Sequence, residues 1–315
     1  MKLKSLLVAA VFAALPALAI AQSTTYPLTI QNGDTTLVFE KAPERAVTLN
    51  GHVTELALAL GLAPKMVGTA YLNHPILPEL KADYDQIPIL SDGTGSPALE
   101  VVLGTSPDFA FGRLSAFRDT AVAPVEKLKE LGINAYVVKG TLIKGATMAD
   151  VYEDIGNLGL IFDIQPAASA LIDRLKSEIA EVTDKVAAAG KPKVKVLVYD
   201  SGEDAIYTTG KALQTHLIEL AGGENVFADI DETWSNVSWE EAVARAPEVI
   251  VINDYGQTSA DAKIALLKGN PALASMPAIQ NDRFVVLPLP SAFEGVRNPA
   301  AVRTLAAGFY PELFQ

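Results

Sequence analysis

The segment 166–189, PAASALIDRLKSEIAEVTDKVAAA, constrains this chain more than any other, because it reads as one long helix set near the middle of the sequence. Leu171, Leu175, Ile179, Val182 and Val186 recur at helical spacing on a single stripe, and charged residues cover the remaining faces. Pro166 suits a first helical turn, and Gly190 followed by Pro192 stops the run. Such a helix is roughly 36 Å long, about the width of a small domain. One narrow apolar stripe predicts a strut lying along the molecule, with the rest of the chain arranged on either side of it.

Residues 1–21 have the layout of a secretory signal peptide: Lys2 and Lys4 precede an apolar run over 6–20, and small residues stand at Ala17, Ala19 and Ala21. The run is short for a membrane anchor, and polar residues follow it directly. The chain contains no cysteine, which leaves neither a disulfide framework nor a lipid-attachment residue. The expectation is a protein released into a bacterial periplasm and not anchored by lipid. Its formal net charge is −12, and loss of Lys2 and Lys4 with the leader makes it more acidic, so nucleic acid is not expected as a partner. The length exceeds what one core usually serves. Two domains are therefore expected, at 22–164 and 191–315, with the linking helix at 165–190.

Strand and helix patterns alternate through both halves. A hairpin over 26–39 turns at Asn32-Gly33-Asp34. Strands then follow at 46–49, 66–70, 108–111 and 133–138, and helices at 52–62, 98–103, 124–131 and 147–160. Beyond the long helix, strands at 194–199, 249–252 and 283–287 alternate with helices at 211–221, 239–245, 260–267 and 299–308. This rhythm predicts an α/β fold of two lobes, each with a central, mainly parallel sheet. An internal echo supports two related lobes. Leu99-Glu100 stands seven residues before Pro107 and the apolar run after it, and Trp239-Glu240 stands seven before Pro247 and its apolar run. Ser238 with Glu241 reads as a capping box, which leaves Glu240 free to project.

Enzyme signatures are scarce. There is no cysteine nucleophile, no G-x-S-x-G elbow and no H-E-x-x-H pair, and the three histidines lie in separate segments. A secreted hydrolase built on Asp200, Glu203 and Asp254 remains as an alternative from a different class. In a parallel sheet ligands bind beyond the carboxyl ends of the strands. That rule selects His52, Tyr71, Asn73, His74, Arg113, Tyr255, Phe293, Glu294 and Arg297 as candidate ligand contacts, with Trp234 added from a turn-rich loop. Aromatic, cationic and amide groups facing one cleft suit a large, polar, anionic ligand.

The run FEKAPERAVTLNGHVTELALALGLAPKMVGTAY, the pattern LEVVLGTSPDFAFG, the block VSWEEAVARAPEVIVINDYG and the ending EGVRNPAAVRTLA resemble periplasmic substrate-binding proteins of ABC importers for ferric siderophores, haem and cobalamin. The similarity covers nearly all of the chain beyond the leader. It implies two lobes bridged by one helix, with the ligand held between them, and a monomer that delivers its cargo to a membrane permease. By motif match, Glu100 and Glu240 are the glutamates that dock on permease arginines. The resemblance further implies an iron chelate as ligand, with no resident cofactor and no catalysis, and Arg113, Tyr71, Tyr255 and Arg297 facing the chelate's negative charge. Haem, cobalamin or a bare metal ion is the alternative cargo, with His52 and His74 as the potential metal ligands.

Overall fold

Two wholly parallel four-stranded sheets stand on either side of a single 25-residue helix. The computed structural model describes residues 23–72, 74–91, 93 and 95–314, so the expected signal peptide and Asn73 lie outside the described residues.

The first half opens with an antiparallel hairpin of β1 (Leu28–Asn32) and β2 (Thr35–Phe39). There follow β3 (Ala46–Thr48), α1 (Gly51–Ala59), β4 (Met66–Thr69), α2 (Lys81–Tyr84), α3 (Leu99–Gly104), β5 (Phe109–Gly112), α4 (Val125–Glu130) and β6 (Asn134–Val137). The strand order is β4-β3-β5-β6. Helix α5 (Met148–Ile161) closes this half. Thr147 caps it, its Oγ1 accepting from the Ala149 N–H at 3.2 Å while its own N–H donates to Asp150 at 2.8 Å. Next comes α6 (Gln165–Ala189), which stops at Gly190 with a left-handed φ of +60°.

The second half comprises β7 (Val194–Tyr199), β8 (Ile206–Thr209), α7 (Leu213–Leu220), β9 (Gly223–Asn225), β10 (Trp234–Val237), α8 (Trp239–Ala244), β11 (Val249–Asp254), α9 (Ala260–Gly269), α10 (Pro277–Gln280), β12 (Phe284–Pro288) and α11 (Asn298–Phe309). Its sheet runs β12-β11-β7-β9. Strands β8 and β10 form a separate antiparallel pair with Trp234 opposite Thr209. Trp234 thus sits on a strand, not in the turn-rich loop its neighbours suggest. Thr208, Thr209, Ser235 and Asn236 break the apolar alternation on which a strand reading depends, and the pairing between the two segments is what makes them strands.

Packing follows the two-residue period of the strands. Phe109 and Phe111 face one buried cluster and Ala110 another; likewise Val196 and Val198 face the first cluster and Leu197 a third. That first cluster runs under both sheets and includes Leu171, Leu175, Ile179 and Val182 of α6. The long helix is therefore a strut on its outer faces and part of a core shared by both halves on its inner stripe.

Helices α3 and α8 occupy equivalent places, six residues each, leading into β5 and β11. Glu100 and Glu240 are exposed in their first turns and form no ion pair among the described residues. The capping box expected at Ser238 is only half made: its Oγ accepts from the Glu241 N–H at 3.1 Å, but the Glu241 carboxylate accepts from Arg245 at 2.7 Å instead of reaching back. A guanidinium four residues along offers a charge-assisted bond in place of a neutral one.

Candidate ligand-binding cleft

The loops that follow β5, β6 and β12 meet the β8–β10 pair around a cavity of about 180 Å³ between the two halves. Arg113, Ser115 and Arg118 come from the first of these loops, Gly140 and Thr141 from the second. Trp234, Phe293 and Glu294 face them from the other half.

Each wall is fixed by local bonding. Asn50, just after β3, accepts from the Arg113 N–H at 2.9 Å, and the Thr141 hydroxyl accepts from the Leu114 N–H at 3.1 Å. The Arg113 guanidinium lies 4.0 Å from the centre of the Phe293 ring and donates to Glu294 at 3.1 Å. Glu294 is buried and lies close against Gly140, where an added Cβ would come within 2.2 Å of its Oε1 and push the carboxylate aside. Trp234 stacks on Tyr207 with ring centres 5.8 Å apart and planes 23° apart, giving the opposite wall a broad aromatic face. Arg118 is exposed and has no ion pair among the described residues. Arg113 is neutralised by Glu294 and Arg118 by nothing, so the cleft presents a net positive charge framed by aromatic rings.

Behind Phe293 lies His52, buried on the first turn of α1, its ring centre 5.3 Å from that of Phe293. Its Nε2 is buried and has no hydrogen-bond partner among the described residues. Burial, aided by the charges of Arg113 and Arg297, holds the imidazole well below its ordinary pKa, so it is neutral. Arg297 is committed elsewhere: its Nε and Nη2 donate to Glu55 at 2.6 and 2.5 Å, and Nη2 also donates to the Pro75 carbonyl at 2.7 Å. Beneath the Lys139–Thr141 turn, Asp154 accepts from the Tyr136 hydroxyl at 2.8 Å and from the Lys139 N–H at 3.0 Å. Desolvation pushes its carboxyl up to about 8, with the charge of Glu294 adding to the effect.

The carboxyl ends of β7 and β11 carry a different arrangement. Asp200 is buried and accepts from Asn253 at 3.1 Å and from the Tyr255 hydroxyl at 2.5 Å. The Lys263 ammonium donates to the Asp200 and Asn253 carbonyls, each at 2.6 Å, and lies 4.3 Å from the Tyr255 ring centre. Burial raises the Tyr255 phenol to about 12, with the Asp200 hydrogen bond adding to it. Asp254 accepts from the Ala260 N–H at 3.2 Å, at the start of α9, and Glu203 is exposed. The partners of Asp200 and Asp254 are thus groups that hold the sheet end together.

Of the candidate contacts read from sequence, Arg113, Trp234, Phe293 and Glu294 line the one cavity. His52 and Arg297 lie behind its wall, and Tyr255 turns its hydroxyl to Asp200. Tyr71 is half-buried with φ +60°, its carbonyl accepting from the Gly51 N–H at 3.1 Å. His74 lines a separate, more apolar groove with Leu72, Ile76 and Tyr84. Among the described residues no group of three His, Cys, Asp or Glu is placed to hold a metal ion. Arg118 belongs to the same loop as Arg113 but lies further from the end of β5, beyond the residues that the strand-end rule selects. Ser115, Thr141 and Thr233 add hydroxyls to the cleft and carried no signal beyond their place in loops.

A family model described as periplasmic binding protein matches residues 47–290. The chain is 31% identical to a periplasmic binding protein of Veillonella parvula, with a TM-score of 0.83 over 90% of this chain and 97% of that one. It is 26% identical to a protein of an ABC-type Fe3+-hydroxamate transport system from Saccharomonospora viridis, with a TM-score of 0.77 over 90% and 99% of the two chains. An uncharacterised ABC transporter substrate-binding lipoprotein of Bacillus subtilis, YvrC, is 26% identical over 300 residues, 93% of this chain and 89% of that protein.

Proposed function

Because the chain belongs to the periplasmic binding protein family, whose members serve ABC importers, we propose that it captures a ferric siderophore between its two lobes and hands it to an inner-membrane permease. The observation that carries this reading is the pair of arginines, Arg113 and Arg118, set opposite Trp234 and beside Phe293 in one cavity. Guanidinium groups match the anionic oxygens of an iron chelate, and the rings match its organic backbone. The likeness to a hydroxamate-transport protein supports an iron chelate as cargo. The leader at 1–21 supports export to the periplasm. Glu100 and Glu240, exposed at equivalent places in the two lobes, are the proposed permease contacts.

Trp234 in the wall provides the assay: its fluorescence is titrated with ferric hydroxamate, catecholate and citrate complexes, haemin and cobalamin. Micromolar or tighter binding of a ferric chelate that is lost in Arg113→Ala/Arg118→Ala supports the reading, and no binding by any chelate refutes it. One observation favours a second cargo. The neutral Nε2 of His52, buried without a partner among the described residues and with its ring 5.3 Å from the Phe293 ring of the cavity wall, suits a metal centre with an open position such as haem. In that case His52→Ala abolishes haemin binding, whereas binding of a ferric siderophore tolerates it.

A further inference from the structure

Two buried Arg–Glu pairs cross between the lobes, and their geometries differ. Arg297 meets Glu55 through two nitrogens and spends a further bond on the Pro75 carbonyl. Arg113 meets Glu294 through a single contact at 3.1 Å, beside the open cavity. A guanidinium has five donors in a fixed fork, so a one-point pair leaves most of the Arg113 donors uncommitted. We propose that Glu294 is a built-in counter-ion of Arg113 that the ligand must displace, and that this competition decides which anions the cleft accepts.

The arginine is held independently of its counter-ion. Its backbone N–H is fixed by Asn50 and its guanidinium lies against Phe293, which stays anchored because the Asn298 side chain donates to the Phe293 carbonyl at 2.7 Å. When the carboxylate leaves, the cation therefore remains in place. Glu294 is tethered, so its effective concentration at Arg113 is high, in the millimolar range or above for a short connection. An anion with one oxygen offers nothing that Glu294 does not already supply. A ligand with adjacent anionic oxygens can take the fork at two points, and this extra bond wins the exchange. The class selected is an oxygen-rich chelate with paired anionic oxygens, and simple anions are rejected.

The inference rests on the cleft being the ligand site but not on the cargo being iron, so it is tested with iron-free citrate, followed by Trp234 fluorescence, with chloride as the single-point anion. Glu294→Gln is expected to bind citrate at least tenfold more tightly than the wild type and to become sensitive to chloride, and adding Arg113→Gln should erase both gains. In wild-type crystals soaked in citrate, Arg113 should contact citrate and no longer Glu294. A Glu294→Gln protein that binds citrate no better than wild type, a gain that survives Arg113→Gln, or citrate seated in the cleft with the Arg113–Glu294 pair intact overturns the proposal. Failure of the siderophore panel with citrate exchange intact would reject the cargo alone.

Discussion

Replacing Arg297 with methionine tests whether the second crossing pair locks the two lobes together. The side chains of Arg297 and Glu55 are 14% and 2% exposed, and the carboxylate takes two guanidinium bonds plus the Leu77 N–H at 2.8 Å. Arg297→Met leaves Glu55 buried with only that N–H, and an uncompensated buried charge costs about 3–5 kcal/mol. The exposed pair Arg303–Glu181, at 54% and 64%, provides the control and contributes ~0–1 kcal/mol. With a urea m-value of roughly 3 kcal/mol per M for a chain of this size, the Arg297→Met midpoint falls by about 1 M or more. Removing the partner as well, in Glu55→Met/Arg297→Met, restores most of the loss, because a buried pair replaced by apolar side chains is often neutral. The assay is equilibrium unfolding followed by circular dichroism. A single-variant loss below about 1 kcal/mol, or a double variant no better than the single, refutes the argument that burial gives this pair its strength.

Three further outcomes are expected. Asp154 keeps its proton in the fold up to about 8 while the unfolded carboxyl loses it near 4, so its contribution is full below pH ~4 and is lost as pH rises towards 8; Asp154→Asn removes this slope in melting temperature against pH. His52 has the opposite sign: the folded imidazole stays neutral while the unfolded one protonates near its ordinary pKa, so stability present above pH ~6.5 is lost as pH falls, and His52→Gln loses less than wild type between pH 6.5 and 5 in the same melts. Charge reversal at Glu100 and Glu240 impairs cargo uptake by whole cells and leaves fluorescence-measured affinity unchanged; lost affinity would assign these residues to the pocket.

Legibility in the sequence followed the range over which each feature is determined. Helix α6 announces itself because one-sided burial imprints a 3.6 period on neighbouring residues, and strands such as β5 and β7 because burial on both faces leaves short, nearly continuous apolar runs. The pair β8–β10 and the short β9 are not legible, since segments of three or four residues with polar or glycine positions among them carry no clear period and exist as strands only through their partners. In the cleft, Arg113 was legible as the residue after a strand. The engagement of Arg297 with Glu55 was not, because the two lie 242 residues apart. A signal was present nonetheless: Glu55 is the only acid in the mainly apolar stretch HVTELALAL, and a carboxylate on such a helix demands a partner.

The ties between the lobes differ in what it costs to open them. The Glu55–Arg297 pair is largely buried, and separating it exposes charges that water must then solvate. Lys144 instead meets Asp231 and Glu232 in solvent, beside a backbone bond from the Gly145 N–H to the Lys211 carbonyl at 2.7 Å. Solvated charges exchange a protein partner for water or salt at little cost. Separating the Lys144 contacts therefore costs less than separating Glu55 from Arg297, and α6 limits any opening because the helix is continuous and its inner stripe belongs to a core shared by both sheets.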